Sequence, residues 1–593
     1  MCGIAGILRL GAEAPPIDPA ELARLGAALA RRGPDGAGEW RSPSGRIALC
    51  HRRLAVLDLS PAGAQPMTSA DGRFTIAYNG EVYDFRERRA ELARVGVTPR
   101  SESDTEVVLE LCARKGAVAL SRLRGMFALA LWDERTGELL LARDAYGIKP
   151  LYYAVVGGQL RFASQVRALE AGGGMPRDVD PAGVAGFLAW GAVPEPFTLR
   201  RAIRSLPAGH VLRARPDGEL RLEPLPFRPG DELPADFAGA VEESVAAHLV
   251  ADVPIAIFLS AGLDSALVAA LARRHLPAPP VALTLTWKEA RGTGQDEEPL
   301  ARATAAALGL RHVVREISAE ELREALPEVL AAMDQPSIDG FNTWLVARLA
   351  REEGFKVVLS GLGGDELTGG YPSFADVARW QRGARRLARV PGLPRLWPAV
   401  ARRLFAGRPK VAGLLDRGRS LAGAYFLRRG LFLPEEIGAE LARAYDPVLD
   451  AWERLGEGIL GSSSGILRDP WRAVHRLEST MYLRNQLLRD ADWADMAHGV
   501  EIRVPLVDAR LRAAAAAVDF EPARSSGKGA LVRRAAPELP EVLFARPKSG
   551  FQLPVAEWLE ARAGTPRGSL GLRSRRLARR VLEEFGVPWP GRA

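Results

Sequence analysis

Cysteine is scarce: Cys2, Cys50 and Cys112 are the three in 593 residues. Three cannot build a disulfide framework, and no CxxC or Cys/His cluster has zinc spacing. A reducing, cytoplasmic setting is the expectation. Long apolar runs are missing as well. No stretch reaches about 18 uninterrupted apolar residues, so no transmembrane helix is expected. The opening Met-Cys-Gly-Ile-Ala-Gly-Ile-Leu-Arg has no basic n-region, and its apolar stretch is too short for a secretory h-region. A strong charge of one sign is also lacking, since 80 Lys+Arg against 72 Asp+Glu leave +8. Attraction to nucleic acid or membrane would therefore need a local patch. Two Arg-rich stretches could supply one. The first runs from Arg379 to Lys410 and holds Arg385, Arg386, Arg402 and Arg403. In the second, Arg573, Arg575, Arg576, Arg579 and Arg580 interleave with Leu572, Leu577, Val581, Leu582 and Phe585. That spacing suits an amphipathic surface helix. Neither stretch has an aromatic stacking platform, so neither nucleic acid nor membrane is expected as a partner.

What is present is ordinary for a soluble globular chain: 47% apolar and 26% charged residues. A wholly disordered or fibrous protein is excluded. The length predicts at least two large domains. The first 165 or so residues read as strand-rich, with short apolar runs at 47–50, 74–78, 127–132 and 138–142, and helices at 19–31 and 104–114. From 191 to 234 the chain is rich in Pro, Gly and Arg without long periodicity and reads as a connector. Strands at 255–259, 281–286 and 356–359 then alternate with helices, which predicts a parallel, doubly wound sheet. Beyond residue 375 the pattern is mostly helical. No repeat of 20–50 residues is found.

Two regions carry chemistry. Cys2 follows the initiator Met. With Met1 removed, one residue bears both a thiol and an amine of pKa near 7.7–8.0, a nucleophile with its own base. Downstream stand His51-Arg52-Arg53-Leu54, Tyr78-Asn79-Gly80-Glu81-Val82-Tyr83 and Ser103-Asp104-Thr105-Glu106. Taken alone, Asn79-Gly80 also fits a type I′ hairpin turn. In the second half, the strand at 255–259 ends in Ser260-Ala261-Gly262-Leu263-Asp264-Ser265, and the strand at 356–359 ends in Ser360-Gly361-Leu362-Gly363-Gly364-Asp365-Glu366. Small residues between strand and helix make a nest of backbone N–H groups suited to an anion. No Gly-Lys-Ser/Thr of a Walker A loop is present. Two such loops, each with an Asp, fit a crevice at the carboxyl edge of an open sheet. Asp264 and Asp365 are the natural pair for Mg²⁺ beside phosphate oxygens.

The first constellation, together with Arg31-Arg32-Gly33-Pro34-Asp35, 142–152 and Phe162-Ala163-Ser164, resembles the class II (N-terminal nucleophile) glutamine amidotransferases. The second resembles the pyrophosphate loop of ATP pyrophosphatases, with Ala261 where a Gly is usual. With 296–301, 496–508 and Arg546-Pro547-Lys548-Ser549-Gly550-Phe551, it resembles the asparagine synthetase family, over about residues 2–560.

The resemblance implies an αββα sandwich over 2–190, a connector over 191–234, a doubly wound domain of the adenine-nucleotide α-hydrolase type over 235–560, and a basic tail over 561–593. It implies that Cys2 attacks glutamine, that Asn79 and Gly80 form the oxyanion hole, that Arg53 holds the α-carboxylate, and that Glu81 and Asp104 hold the α-ammonium. Phe258, Ser260, Gly262, Asp264, Ser265, Trp287, Ser360, Gly361, Asp365 and Lys528 are implied for ATP, and Lys548 for catalysis. The implied reaction makes asparagine from aspartate, glutamine and ATP·Mg²⁺, with a homodimer as candidate assembly. The sequence also departs from the family. Leu362 stands where a Glu tied to the acceptor is usual, Gln335 replaces another Glu, and Gln165, Asp492-Trp493 and Asp495 differ from the common pattern. The alternative is a paralogue that amidates another carboxylate, on a surface polysaccharide or a natural-product precursor.

Overall fold

The computed structural model describes residues 2–228, 233–234, 236–405, 409–438, 441, 443–446, 469–517, 521–545, 553–560 and 570–588. Its strands are β1 (Gly3–Arg9), β2 (Gly36–Arg41), β3 (Ile47–Arg53), β4 (Met67–Thr68), β5 (Phe74–Val82), β6 (Gly125–Asp133), β7 (Glu138–Arg143), β8 (Tyr152–Val156), β9 (Gln159–Ala163), β10 (Arg204–Ser205), β11 (His210–Ala214), β12 (Leu220–Pro224), β13 (Ile255–Phe258), β14 (Val281–Trp287), β15 (Arg311–Ile317), β16 (Val357–Leu359) and β17 (Glu501–Arg503). The helices that position the sites are α1 (Pro19–Ala28), α2 (Phe85–Arg94), α3 (Asp104–Lys115), α4 (Val166–Gly172), α5 (Pro181–Trp190), α6 (Phe237–Ala247), α7 (Leu263–His275), α8 (Glu298–Ala307), α9 (Ala319–Ala332), α10 (Phe341–Glu352) and α11 (Gly364–Thr368).

The first twelve strands form two six-stranded sheets, in the orders β10-β8-β9-β1-β3-β2 and β12-β11-β7-β6-β5-β4. All their pairings are antiparallel. Period-2 alternation gives each sheet two apolar faces. Ile4, Leu49 and Phe162 of one sheet pack on Ala128, Trp132 and Leu141 of the other. Outside them, Leu22, Leu25 and Leu169 of α1 and α4 cover the first sheet. Leu92, Val108 and Leu111 of α2 and α3 cover the second. This is the expected αββα sandwich. The span expected as a connector, 191–234, carries β10, β11 and β12, which extend both sheets. Their runs of two to five residues are too short to show a period.

The third sheet is wholly parallel, in the order β15-β14-β13-β16-β17. Near-continuous apolar strands such as Ile255–Phe258 are what a sheet buried on both faces requires. Val241, Leu267 and Leu271 of α6 and α7 pack on one face. Leu322, Val329, Trp344 and Leu345 of α9 and α10 pack on the other. The winding reverses between β13 and β16, so the crevice opens beyond the carboxyl ends of those two neighbours. The tail forms a helix, Leu570–Glu584. It is amphipathic, as the spacing suggested, with Arg579, Arg580, Glu583 and Glu584 exposed on its outer face. Leu577, Ala578, Val581 and Leu582 are buried in the main core, and Arg575 pairs with Glu436 at 2.8 and 2.9 Å. Among the described residues, no helix is long and apolar enough to cross a membrane.

The two domains are pinned by buried charge. Arg124 reaches Asp508 at 2.7 Å and Glu243 at 2.6 Å. Asp334 accepts from the backbone N–H of Val166 and Arg167, each at 3.0 Å, and so caps α4 from the other domain.

Candidate active sites

Cys2 immediately precedes β1 and is 7% exposed. Its backbone N–H donates to Asn79 Oδ1 at 2.9 Å, while Arg32 Nε donates to its carbonyl at 3.1 Å. Burial pushes the thiol pKa up. Asn79-Gly80 lies inside β5 and is not a hairpin turn. Glycine is needed at 80 because a Cβ there would sit 2.3 Å from the carbonyl oxygen of Met126 on β6. Asn79 is fully buried, and its Nδ2 has no hydrogen-bond partner. A buried amide donor without an acceptor is costly unless a ligand supplies one.

The carboxylates expected for an ammonium also meet here. Asp104, the first residue of α3, accepts from the Tyr78 hydroxyl and the Val82 N–H, each at 3.0 Å. Burial raises its pKa to about 6. Glu81 is 3% exposed, and its Oε1 has no hydrogen-bond partner. Burial, then the nearby Asp104 charge, push its pKa well above the usual range, while Arg503 opposes them. Arg53 ends β3 and donates to the carbonyls of Ser60 at 2.9 Å and of Asp58. Its charge lowers the Cys2 thiol pKa. This cluster thus combines a nucleophile, an unpartnered donor, an unpartnered acceptor and a guanidinium.

The second site lies at the switch point. Ser260, Gly262, Asp264 and Ser265 follow β13, and Ser360, Gly361, Leu362 and Asp365 follow β16. Ser265 Oγ accepts from the Ser260 N–H at 3.1 Å and sits 3.0 Å from Ser260 Oγ. Ser260 Oγ accepts from the Gly262 N–H at 3.1 Å. The two loops press together. A Cβ on Gly361 would lie 2.6 Å from the Ser265 nitrogen, and one on Gly364 would lie 2.2 Å from Asp264 Oδ1. Lys528 Nζ donates to Asp365 Oδ1 at 2.7 Å and to Asp264 Oδ2, so one ammonium spans both carboxylates. Phe258 closes β13 and packs against the core, and Trp287 closes β14 at 2% exposure. Lys548 and its flanking motif lie outside the described residues.

A cavity of 1110 Å³ opens beside this cluster. It is lined by Asp264, Asp365, Leu362, Glu366, Tyr371 and Tyr482, among others. Glu366 is fully buried; its Oε1 accepts from the Tyr371 hydroxyl at 3.0 Å and its Oε2 has no partner. Gln335 is not at this cavity. Its Oε1 accepts from Leu199 N–H at 2.8 Å and its Nε2 donates to the Asp334 carbonyl at 2.7 Å, which makes it a backbone brace.

Two comparisons bear on these sites. The glutamine amidotransferase domain family matches residues 1–223, and the asparagine synthase family matches residues 236–577. The chain belongs to the asparagine synthase family. Glutamine-hydrolyzing asparagine synthetase 1 of Bacillus subtilis is 30% identical over 575 residues, covering 94% of this chain and 88% of that one. Glutamine-hydrolyzing asparagine synthetase 3 of the same organism is 28% identical over 640 residues, covering 100% and 95%. Amidase chry2 of Gibberella zeae is 28% identical over 546 residues, covering 82% and 76%.

Sequence reasoning about this asparagine synthase family chain assigned no role to Glu501 and Arg503, although both fall in the matched 496–508 stretch. Arg503 Nε donates to Glu501 Oε1 at 2.6 Å, and its Nη2 lies 3.3 Å from Glu81 Oε2. Both reach the Cys2 pocket from the other domain. Two opposite charges flanking an isoleucine, Glu501-Ile502-Arg503, inside that stretch were the available signal.

Proposed function

We propose that the chain is a glutamine-hydrolysing asparagine synthetase. With Met1 removed, the Cys2 amine takes the thiol proton and the sulfur attacks the amide carbon of glutamine. Asn79 Nδ2 and the Gly80 N–H donate to the oxyanion. The C–N bond breaks, ammonia leaves with the proton, and water releases glutamate from the thioester. Arg53 holds the α-carboxylate, and Glu81 and Asp104 hold the α-ammonium. The observation that carries this half is the buried Asn79 amide, anchored by Oδ1 to Cys2 and holding Nδ2 without a partner.

At the second site, a carboxylate oxygen of aspartate attacks the α-phosphorus of ATP and pyrophosphate leaves. Ammonia then displaces AMP from the β-aspartyl-adenylate. Ser260, Gly262, Ser265, Ser360 and Gly361 cradle the phosphates, and Phe258 and Trp287 flank the nucleotide. Lys528 and Lys548 offset the charge that develops on the leaving group. Asp264 and Asp365 suit Mg²⁺, because two hard carboxylate oxygens already converge on one cation, the Lys528 ammonium. Bound with the nucleotide, the ion would neutralise phosphate charge. An apolar cluster that includes Tyr83, Met126, Leu483, Ile502 and Val504, with Leu362 against it, separates the sites and suits neutral ammonia. Three buried free cysteines accord with a reducing, cytoplasmic setting.

A second reading rests on Leu362. An apolar side chain that lines, with Tyr371 and Tyr482, a cavity of 1110 Å³ suits a carboxylate larger and less charged than aspartate. A screen of carboxylates for ATP-dependent pyrophosphate release decides. Aspartate as the best acceptor supports asparagine synthesis, and a different best acceptor replaces it with amidation of that compound.

A further inference from the structure

Arg503 is fully buried on β17, in the second domain. Its Nη1 donates to the carbonyls of His248 at 2.8 Å and Val250 at 2.6 Å, and its Nε donates to Glu501 Oε1 at 2.6 Å. Three bonds thus fix the guanidinium from within its own domain. The remaining nitrogen, Nη2, crosses the boundary to Glu81 Oε2 at 3.3 Å and has no hydrogen bond of its own. Glu81 Oε1 is buried and unpartnered on the other side of the same carboxylate. The guanidinium also lies 5.6 Å from the centre of the Tyr83 ring.

We infer that Arg503 is a positioning residue for glutamine binding: reaching across the domain boundary, it holds Glu81 ionised so that the carboxylate can take the α-ammonium of glutamine. This rests on the proposed role of Glu81 in the Cys2 pocket. The site needs such a cation. Glu81 is desolvated and faces Asp104 from α3, the phenols of Tyr78 and Tyr83, and Glu501 from β17. Burial and the two carboxylates favour its neutral form, which cannot pair with an ammonium. The Arg503 charge works against them. The glutamine pocket is therefore complete only with the second domain docked, and glutaminase activity is tied to the assembled synthetase.

The sign of the pH dependence follows. Glutamine binding requires ionised Glu81, so the KM for glutamine falls as pH rises through the Glu81 pKa. Arg503→Gln removes the favourable cation and moves that limb to higher pH by roughly one to three units. At neutral pH this raises KM about tenfold or more, with a smaller effect on kcat. Glu501→Gln removes an opposing anion while still accepting from Arg503, and moves the limb to lower pH.

The test is the pH profile of the glutamine KM and kcat, from glutamate release by the full chain, for the parent, Arg503→Gln, Arg503→Lys and Glu501→Gln. Opposite displacements in the Arg503→Gln and Glu501→Gln variants, with the limb partly restored in Arg503→Lys, support the inference. Displacements of the same sign, or loss of kcat with the limb unmoved, overturn it, because packing damage has no reason to reverse sign. Should Arg503→Gln fail to fold, Glu501→Gln decides alone: a limb at lower pH supports the inference, and an unmoved or raised limb overturns it. Glutaminase absent from the parent protein would instead defeat the proposed function.

Discussion

Arg32 and Asp492, 460 positions apart, form a two-bond ion pair across the domain boundary, at 2.7 and 2.9 Å. Their side chains are 1% and 4% exposed. The third arm of the same guanidinium holds the Cys2 carbonyl at 3.1 Å. One arginine therefore joins the nucleophile's backbone to the synthetase domain.

Removing one member of a buried pair leaves the other charge desolvated and costs about 3–5 kcal/mol. Asp492→Leu should lower the unfolding free energy by about that amount, read as a lower urea midpoint, and reduce glutaminase turnover, because Arg32 no longer fixes Cys2. Arg32→Met combined with Asp492→Leu should recover much of the stability but not the turnover. A midpoint that does not move in the single variant would show that the pair does not bind the domains.

Asp264→Asn and Asp365→Asn should each suppress ATP-dependent pyrophosphate release and spare glutamate formation. Each removes one of two carboxylates that converge on Lys528, the arrangement proposed for the metal and the pyrophosphate. Paired assays of pyrophosphate and glutamate check this. Near-parental pyrophosphate release in both variants contradicts the metal role.

Glu366 gives a pH signature in stability. Burial first, then the neighbouring Asp365, raise its pKa from the ordinary 4.5 to about 7. The folded state binds the proton more tightly than the unfolded chain, so this contribution is fully present below pH 4.5 and is lost as pH rises through about 7. Glu366→Gln cannot ionise. The stability of the parent relative to this variant should fall across that window, as read from urea midpoints. A constant difference would show that Glu366 keeps an ordinary pKa.

Leu362 can neither accept a proton nor hold an ammonium. A missing charged hydrogen-bond partner typically costs roughly 1.5–3 kcal/mol, about ten- to a hundredfold in rate. Aspartate-dependent pyrophosphate release should therefore be weak and should improve in Leu362→Glu. Fast release by the parent with no gain in the variant would show that the leucine is neutral and that Glu366 or another group serves.

Much of this was legible from the sequence. Short apolar runs at 74–78 and 127–132 marked parts of β5 and β6, and the alternation of strands with helices marked the parallel sheet, because those signals are local. Asp264 and Asp365 stood out as acids on Gly-rich loops that follow strands, Gly80 and Asp104 were implied by the family resemblance, and the fold brings each set together. Lys528 was named as a candidate, but its bridging of both aspartates depends on a contact across 264 positions. The couplings between domains were illegible for the same reason. Arg32 with Asp492 and Arg503 with Glu81 are buried charges whose partners lie hundreds of residues away, and a lone Arg in a sequence reads as surface. Gln335 looked like an acceptor-site change because it replaces a Glu, yet its amide both donates and accepts backbone bonds, which a carboxylate could not do.

The central claim is that nitrogen released at Cys2 becomes the amide nitrogen made at the second site. Glutamine carrying a heavy-nitrogen side-chain amide, supplied with ATP, Mg²⁺, aspartate and unlabelled ammonium, tests it by mass spectrometry of the product. The account predicts labelled asparagine, with labelled and unlabelled asparagine together equal to the AMP formed. In Cys2→Ala all label should vanish while unlabelled product persists. Product that carries only unlabelled nitrogen in the parent protein, or label that survives in Cys2→Ala, would contradict it.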